Sequence, residues 1–561
     1  MKATSIFFFR ATFLFFISFN IQWSQSSGEK LIPPLKIPLL LSGNFGELRG
    51  SHMHAGLDIK TKGTQGVPVY ASWEGEVDRI VVSTSGYGKA LYIKHNNGKT
   101  TVYAHLKKFA PQIEKYIKSK QYEKQTYTLQ VFPKKEELKV SAGELIGFSG
   151  NTGGSLGPHL HFEIRESLSQ KPINPLHFSL AIEDHQRPQL RELFLYHHID
   201  GNPIKKQYSF FKENDSLYST ALLRVSGKIS VGLNIFDRQD LSYNKNGVYS
   251  ISLLLNGIKK YERKMDTFSF ADSKYISLLL DQKALKKERK KIEHLMVHPK
   301  NKMSMINDSL ADGYLDILPG KSYLLSILLR DFHDNLTQLD LYFLGDDSFQ
   351  IPSQKSNENA KRIETDKDYL FEFKGKEVYI PKEAFFDSKD LVFTVSADTL
   401  QIEESWIKSQ KPIKINFTKT GLSAVEREQI SFAKIADGKP IFIPTKNEKD
   451  HFTTSIKALG TYTLVRDSIA PSVQSKNFKN RQSIKNFKYL TFRIDDEFSG
   501  IKNYEGYINK QWILLEYEPK TKTLSYDISD LKFESKQFNI ELTVEDGMGN
   551  KTEFKTEVFK N

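Results

Sequence analysis

Two short stretches, at residues 54–58 and 159–161, constrain this chain most, because each spaces metal-binding side chains evenly. The first is His54-Ala55-Gly56-Leu57-Asp58 and the second is His159-Leu160-His161. Residues two apart on an extended strand point to the same face, so each pair can direct both side chains at one point. Two imidazoles and one carboxylate make a three-ligand zinc site that keeps a fourth position for water. One histidine is then left over as an acid or base, and spacing does not decide which.

The region around these stretches has the pattern of an antiparallel β domain. Short apolar runs such as Ala90–Lys94 and Thr101–Ala104 are separated by glycine-containing turns, here Asn96-Asn97-Gly98. Turns of this composition tolerate positive φ and join hairpin strands. His105 ends the second run and is a further candidate for the site. We therefore predict a β domain over residues 35–180.

Three motifs in this region resemble the signatures of the LytM/lysostaphin-type zinc endopeptidases. They are His54–Asp58, Tyr103-Ala104-His105-Leu106 and Gly157–Glu163, in the order found in that family. The resemblance covers roughly residues 40–180 and implies a zinc-dependent peptidase domain. An insertion from Pro111 to Lys139 is longer than the family pattern needs, and its first ten residues are typical of a helix.

The family pattern implies a role for each of five side chains. It makes His54, Asp58 and His161 the ligands of one Zn²⁺ ion. It gives His105 and His159 catalytic roles beside the ion. The resemblance thus assigns different roles to His159 and His161, which spacing alone does not distinguish. Some relatives that lack ligands serve as regulators. Here all five positions are filled, which favours an active enzyme.

Five polar residues near the motifs are further candidates. His52 lies two residues before His54, so on an extended strand both would point to the same face. We predict that His52 lies at the rim of the site or behind the ligands. Glu163 and Arg165 share the strand face of His161, where they either orient an imidazole or form a surface ion pair. Glu47 and Arg49 are candidates for lining the groove.

The rest of the chain predicts more β modules and shows no metal-ligand cluster in its sequence. Residues 187–348 and 470–561 are predicted to be immunoglobulin-like β-sandwich modules, with a further β module at 366–466. The first and last share a motif: Asp331 and Asn335 have the spacing of Asp546 and Asn550, each between two strand-like runs. The lysine-rich run Lys283–Lys291 indicates an exposed helix or loop, which either is simply solvated or binds an anionic polymer.

The N-terminus is typical of an export signal. A short apolar run follows the basic residue Lys2, and small residues at Ser24-Gln25-Ser26 resemble a cleavage site, which predicts a signal peptide over residues 1–26. An uncleaved membrane anchor is the alternative. The chain has no cysteine, which excludes thiolate zinc sites, disulfides and cysteine nucleophiles. A bacterial envelope protein fits this composition.

Charge gives a weaker indication of the partner. The chain carries a net charge of +13 and has a pI near 9.2. A partner rich in carboxylates or phosphates suits this balance, although scattered lysines also serve simply to solvate a surface. No arginine-rich arm or nucleic-acid motif is present in the sequence, so we predict no nucleic-acid partner.

The leading hypothesis is an exported zinc metalloendopeptidase of the periplasm or cell envelope. The resemblance implies that it hydrolyses peptide cross-links of peptidoglycan, with stem peptides as substrate. Two alternatives stay open. One is a non-catalytic envelope factor that binds cell wall or regulates another hydrolase. The other is a peptidase for a protein substrate, which the C-terminal modules select. An envelope protein is a further candidate partner for these modules.

Overall fold

The computed structural model describes residues 31–199, 202–307, 309–349, 357–531 and 535–560. Strands dominate these ranges and nearly all of them pair antiparallel, so the prediction of a mainly β protein is confirmed. The predicted signal peptide lies outside the described residues. Within these ranges, no helix combines the length and the apolar character needed to cross a membrane.

The N-terminal region is built on a nine-stranded sheet. Seven of its strands lie side by side in the order Leu41–Gly43, Leu57–Lys60, His159–Glu166, Lys99–Leu106, Lys89–His95, Gly75–Val82 and Leu129–Val131. Two short strands extend the sheet, Lys139–Val140 and Pro172–Ile173. A three-stranded sheet (Pro68–Tyr70, Leu145–Phe148, Lys108–Phe109) and a hairpin (Leu48–Arg49, His52–Met53) complete the region. The strand His159–Glu166 thus lies between Leu57–Lys60, which carries Asp58, and Lys99–Leu106, which carries His105.

The insertion forms a helix, Pro111–Lys124, that continues four residues beyond the predicted segment. Pro111 occupies the first turn, where its missing N–H costs nothing. Gln125 ends the helix in the left-handed conformation, and its N–H bonds back to the last turn. The helix buries Ile113, Ile117 and Gln121 and leaves its other face toward the C-terminal part of the chain.

Residues 189–345 form two further sheets. The five-stranded sheet contains Asn202–Tyr208, Gln189–Ile199, Gly227–Phe236, Glu293–His294 and Leu315–Ile317. The seven-stranded sheet contains Phe211–Lys212, Leu217–Ser219, Leu223–Val225, Leu336–Gly345, Ser322–Arg330, Ser250–Leu255 and Ile258–Lys264. The lysine-rich run folds as a short helical turn, Ala284–Glu288, that is mostly exposed, as predicted. Two other short helices, Phe270–Tyr275 and Ile276–Leu279, precede it.

Residues 361–466 and 472–559 each contain two main sheets. In residues 361–466, one five-stranded sheet contains Tyr369–Phe373, Lys376–Ile380, Lys408–Thr418, His451–Ala458 and Lys446–Glu448. The other contains Phe393–Val395, Thr399–Ile402, Gly460–Arg466, Ile430–Ala436 and Lys439–Ile443. A two-stranded sheet (Lys361–Ile363, Lys389–Leu391) and the helix Ala424–Glu428 complete this region. In residues 472–559, a four-stranded sheet contains Ser472–Ser475, Tyr489–Asp495, Thr523–Asp527 and Glu516–Glu518. A five-stranded sheet contains Gln482–Ser483, Lys551–Phe559, Gln537–Asp546, Ile501–Ile508 and Gln511–Trp512. Three short helical turns lie at Pro175–Phe178, Pro519–Thr521 and Ile528–Asp530.

The hydrophobic cores show which regions are joined. One cluster of buried side chains runs without a break from the N-terminal sheet into residues 189–343, through contacts such as Phe45 against Phe268, whose ring centroids lie 5.1 Å apart. Residues 363–462 and 478–558 have separate clusters. The N-terminal domain therefore shares its packing with the β module that follows it. The immunoglobulin-like assignment and the domain boundaries stay predictions.

Candidate metal and catalytic site

Strand register brings two candidate residues face to face. His161 lies directly opposite Asp58 on one neighbouring strand and opposite Ala104 on the other. Opposed residues in an antiparallel pair project to the same face. His159 lies two residues before His161 on the same strand and shares that face, as the even spacing predicts. The spacing argument therefore holds for His159 and His161.

His54 reaches the site by a different route from the one predicted. The strand that holds Asp58 begins at Leu57, so His54 lies outside it. Backbone bonds from Gly46 N–H to His54 O (2.9 Å) and from His54 N–H to Glu47 O (3.0 Å) hold this segment instead. The Nε2 atom of His54 then lies 2.9 Å from Asp58 Oδ1 and 3.0 Å from His161 Nδ1. The pair converges, but through a loop rather than a common strand.

His105 joins the site because the strand alternation breaks at this residue. Ala104 is the residue opposite His161, so a regular strand would send His105 to the other face. The φ of His105 is +60°, in the left-handed region that non-glycine residues rarely adopt. Its ring centroid lies 4.8 Å from that of His159 and 5.8 Å from that of His161. Backbone strain at a single residue thus completes the cluster.

Hydrogen bonds at the far nitrogens fix the tautomers of His54 and His161. His54 Nδ1 faces the carbonyl of Asn44 at 2.8 Å, and a carbonyl only accepts, so Nδ1 carries the hydrogen. His161 Nε2 faces the carboxylate of Glu163 at 2.7 Å and donates in the same way. Once His54 Nε2 and His161 Nδ1 are deprotonated, as metal ligation requires, their lone pairs converge with Asp58 Oδ1. This is the arrangement that metal-binding histidines require.

The three facing atoms fit a zinc ion. His54 Nε2, His161 Nδ1 and Asp58 Oδ1 lie 2.8–3.0 Å from one another, and all three residues are buried. Ligand atoms around a tetrahedral zinc ion lie about 3.3 Å apart, so a spread of only about 0.3–0.5 Å would admit the ion. Two imidazoles and a carboxylate are also the donors that a catalytic zinc site uses.

Arg49 completes the environment of Asp58. Its Nη2 donates to Asp58 Oδ2 at 2.6 Å, which leaves Oδ1 for the ion, and it also approaches Glu47 Oε2 at 3.4 Å. A Cβ at Gly43 would lie 2.6 Å from Arg49 Nη2 and 2.9 Å from Asp58 Oδ2, so a larger residue there would displace this contact. Burial raises the pKa of Asp58, but His54, His159 and His161 outweigh it and hold that pKa well below its usual range. Asp58 is therefore ionised at neutral pH.

His105 and His159 have the same orientation relative to the site. His105 Nδ1 faces the carbonyl of Thr152 at 2.9 Å, and His159 Nδ1 faces that of Gly157 at 2.8 Å. Each ring therefore keeps its hydrogen on Nδ1 and has a free lone pair on Nε2. His159 Nε2 is buried, makes no hydrogen bond among the described residues and lies 3.3 Å from Asp58 Oδ1. Burial, followed by His161 and His159, lowers the pKa of His105 to about 3.

A buried network supports His161 from behind. Glu163 is fully buried, accepts from Tyr87 Oη, and receives Arg165 Nε on its other oxygen at 2.6 Å. Burial raises the pKa of Glu163, but Arg165 and His161 lower it to about 2. Burial also lowers the pKa of His161, whereas its bonds to Asp58 and Glu163 raise it to about 9. Of the two roles predicted for Glu163, the structure shows the one that orients an imidazole.

The remaining candidates divide between the site and its rim. Arg49 contacts Asp58, and Glu47 contacts Arg49. Their role in lining a groove stays a prediction. His52 is exposed and contacts Ser51 Oγ, which places it at the rim. Sequence reasoning missed Asn44 and Tyr87. The tripeptide Gly86-Tyr87-Gly88 was a usable signal for Tyr87, whereas nothing near Asn44 pointed to the site.

The fold and the site together define a class, a β-sheet metallopeptidase domain. Residues 52–123 and 114–175 match the profile of Peptidase family M23, and this part of the chain is a LytM-type M23 peptidase domain.

Three similar proteins illustrate the match. DD-carboxypeptidase/endopeptidase Mpg of Neisseria meningitidis is 36% identical over 161 residues, which are 28% of this chain and 30% of the relative. Peptidoglycan DD-endopeptidase ShyA of Vibrio cholerae is 34% identical over 114 residues, 20% of each protein. The catalytic domain of lysostaphin from Staphylococcus simulans is 28% identical, covers 24% of this chain and 87% of that one, and has a TM-score of 0.18. The chain thus spans less than a third of the length of these two curated relatives.

Proposed function

We propose that this protein is a zinc metalloendopeptidase that hydrolyses peptide cross-links of bacterial peptidoglycan. The observation that carries the proposal is the convergence of His54 Nε2, Asp58 Oδ1 and His161 Nδ1, with two further imidazoles beside them. The names of the Neisseria and Vibrio relatives support a peptidoglycan substrate. In this proposal stem peptides bind beside the metal ligands.

The ligands would be His54, Asp58 and His161. When bound, Zn²⁺ supplies a Lewis acid that polarises a carbonyl and lowers the pKa of water toward about 7. Arg49 holds Asp58 through the oxygen that faces away from the histidines, and Glu163 holds His161 through the distal nitrogen. Both contacts keep the donor atoms aimed at one point before the ion arrives.

His105 and His159 would move protons at Nε2. Each ring is held through Nδ1–H, so Nε2 is the atom that can accept a proton from water. After protonation the same nitrogen can donate to the peptide oxygen or to the leaving amine. The pKa of His105, lowered to about 3, suits a group that is neutral when the reaction begins. His159 lies closer to Asp58 and is placed to hold the resulting positive charge.

The proposed location is the periplasm or cell envelope. It rests on the apolar N-terminal run and on the absence of cysteine from the sequence. Fractionation of cells that express the full chain, with N-terminal sequencing of the mature protein, tests it. A product that begins near residue 27 supports export with cleavage, and an intact N-terminus in the cytoplasmic fraction contradicts it.

Digestion of isolated peptidoglycan tests the activity. The chain lacking residues 1–26 is incubated with purified wall, with and without a chelator, and the released fragments are identified by mass. We expect new fragments that have lost a peptide cross-link, formed only without the chelator. Absence of any chelator-sensitive product in a protein that binds zinc favours a wall-binding factor. Cleavage of an envelope protein with intact wall favours the protein substrate.

Three histidine variants separate the proposed roles. His161→Ala should lose both zinc and activity, because it removes a ligand. His105→Ala and His159→Ala should keep zinc and lose about 10²- to 10⁴-fold in rate, the usual contribution of a general acid or base. His185→Ala is the matched control, since its ring is 81% exposed. Zinc loss in His159→Ala with zinc retained in His161→Ala would show that the two roles are reversed.

A further inference from the structure

Two clusters of aspartates lie outside the peptidase site, at the starts of two β modules. Carboxylate oxygens of Asp467, Asp496 and Asp546 lie within 4.8 Å of one another. Asp184 and Asp331 approach each other in the same way at the start of the earlier module, together with His333. The sequence showed only the echo between Asp331-to-Asn335 and Asp546-to-Asn550. The fold brings the other aspartates to it.

The two clusters are built alike. Asn335 Nδ2 bonds both Asp331 Oδ2 (2.7 Å) and the carbonyl of Asp184 (3.0 Å). Asn550 Nδ2 bonds both Asp546 Oδ2 (2.8 Å) and the carbonyl of Asp467 (3.3 Å). In each case the motif at the end of a module fixes the linker aspartate at its start. Asp184 and Asp467 each stand four residues before a proline, Pro188 and Pro471, whose carbonyl accepts from a threonine two residues after the asparagine.

The later cluster also holds a buried carboxylate oxygen with no partner. Asp467 is 6% exposed, and its Oδ2 makes no hydrogen bond among the described residues. An ionised oxygen buried in this way is costly unless a cation compensates it.

The protein supplies no such cation in the described ranges. None of Asp467, Asp496 and Asp546 has a lysine or arginine nitrogen within 4.0 Å there. The adjacent Asp495 is ion-paired instead, with Lys522.

We propose that the cluster of Asp467, Asp496 and Asp546 binds one Ca²⁺ ion. Several carboxylates with a backbone carbonyl close by form the hard, oxygen-rich environment that Ca²⁺ prefers, and water fills the remaining positions.

The ion would fix how the last two modules are joined. Asp467 follows the last strand of the middle module, and its N–H bonds to Gln429 O in that module at 2.8 Å. Asp496 and Asp546 belong to the last module, so an ion held by all three ties the linker to both. Phe442 and Phe498 already contact across this junction, with ring centroids 5.6 Å apart.

Binding of radiolabelled Ca²⁺ to the chain lacking residues 1–26 tests the proposal. Equilibrium dialysis at up to about 5 mM Ca²⁺ covers the dissociation constants of extracellular modules, about 10⁻⁴–10⁻³ M. We expect one ion per wild-type chain and none in Asp467→Asn. The control Asp495→Asn should keep one. Binding that is unchanged in Asp467→Asn, or no binding to the wild type, overturns the site.

Thermal unfolding separates ion binding from a merely structural role. Without Ca²⁺, Asp467→Asn should unfold at or above the wild-type temperature, because it removes repulsion between carboxylates. With Ca²⁺, the wild type should gain more in unfolding temperature than the variant. A variant that is less stable by the same amount with and without Ca²⁺ overturns the proposal. Neither readout depends on peptidase activity, so failure here is distinguishable from failure of the proposed enzyme function.

Discussion

At the scale of single residues, the site is defined by what lies behind each histidine. The rings of His54, His105 and His159 are held through Nδ1 by backbone carbonyls, whereas His161 is held through Nε2 by a carboxylate. Each of the four rings is thus held by a hydrogen bond at the nitrogen that faces away from the site. The proposed ligands and the proposed proton carriers differ instead in the charges around the nitrogen that faces the site. Among the described residues, Glu163 is the charged group that holds one of these rings.

Glu163→Gln should weaken zinc binding while leaving the fold intact. The amide can still accept from His161 Nε2–H, but it no longer raises the basicity of the ring or pairs with Arg165. Loss of such a supporting partner typically costs about 10- to 100-fold in metal affinity. Competition with a chromophoric chelator measures it. Glu166→Gln, an exposed position on the same strand, is the matched control. Equal zinc affinity in the two variants would contradict the role of Glu163.

Sequence reasoning succeeds where the chemistry depends on residue spacing within a strand. His159 and His161 alternate on one strand, so their shared face is readable from the sequence. His105 is not readable in this way, because a φ of +60° reverses the direction that alternation predicts. Asn44 contributes its backbone carbonyl, which any residue type could supply. Family motifs located His105, and only tertiary structure located Asn44.

At the scale of elements, a loop of the first β module supports the peptidase site. Asn44 Nδ2 donates to Gly247 O at 2.7 Å, and Gly247 N–H donates to Asn44 Oδ1 at 2.9 Å. Gln239 forms a similar two-way bond with the backbone of Leu39 and Leu41. The loop from Asp237 to Gly247 thus fixes the segment whose carbonyl orients His54. Such a contact between residues about 200 apart in sequence leaves no local pattern.

Asn44→Ala should lower both stability and zinc affinity. It leaves the N–H and carbonyl of Gly247 without these partners, which costs about 1–3 kcal/mol of unfolding free energy. It also loosens the carbonyl that holds His54 Nδ1. Urea unfolding and zinc titration measure the two effects. Asn96→Ala, at an exposed hairpin turn, should change stability by less than about 0.5 kcal/mol. Reduced stability with unchanged zinc affinity would separate Asn44 from the site.

A basic cavity of about 620 Å³ adjoins the same loop. Its lining includes Arg191, Lys245, Arg289 and Lys291, none of which is ion-paired in the described ranges, together with Glu47 beside the site. Under the proposed function, carboxylates of the stem peptide are the natural occupants. Lys245→Gln should raise KM for wall fragments about 2- to 5-fold without changing kcat, as expected for a solvated charge contact. Lys321→Gln, on an exposed turn elsewhere, is the control. A change confined to kcat would contradict the assignment.

At the scale of the whole molecule, the last β module packs against the peptidase domain. Lys118 on the inserted helix contacts both carboxylate oxygens of Asp530 at 3.0 Å, and the ring of Tyr122 meets the ring of Trp512 at 5.5 Å. Lys89, only 4% exposed, pairs with Glu516 at 2.8 Å. The insertion, whose role the sequence left open, is thus one of the surfaces on which the last module rests.

This packing reaches the edge of the catalytic site. Lys520 of the last module donates to the carbonyl of Asn151, and the next carbonyl, that of Thr152, holds His105. Lys89 N–H bonds to Thr152 Oγ1 at 2.9 Å, so the buried ion pair with Glu516 bears on the same loop. Residues more than 350 apart in sequence therefore meet beside one catalytic candidate. Neither composition nor spacing can indicate such contacts.

Glu516→Ala should release this contact and increase motion in the loop and the helix. Lys89 would keep its buried charge without its carboxylate, which is destabilising for the docked arrangement but leaves the last module's own core untouched. Hydrogen exchange should become faster at residues 86–92 and 111–124, by about 5-fold if docking loses about 1 kcal/mol. Glu541→Ala, in the same module, removes an ion pair with the exposed Lys555 and serves as the control. Exchange that stays at the wild-type rate in Glu516→Ala would mean that the two domains hold their positions without this ion pair, and the loop bearing Thr152 would then be independent of the last module.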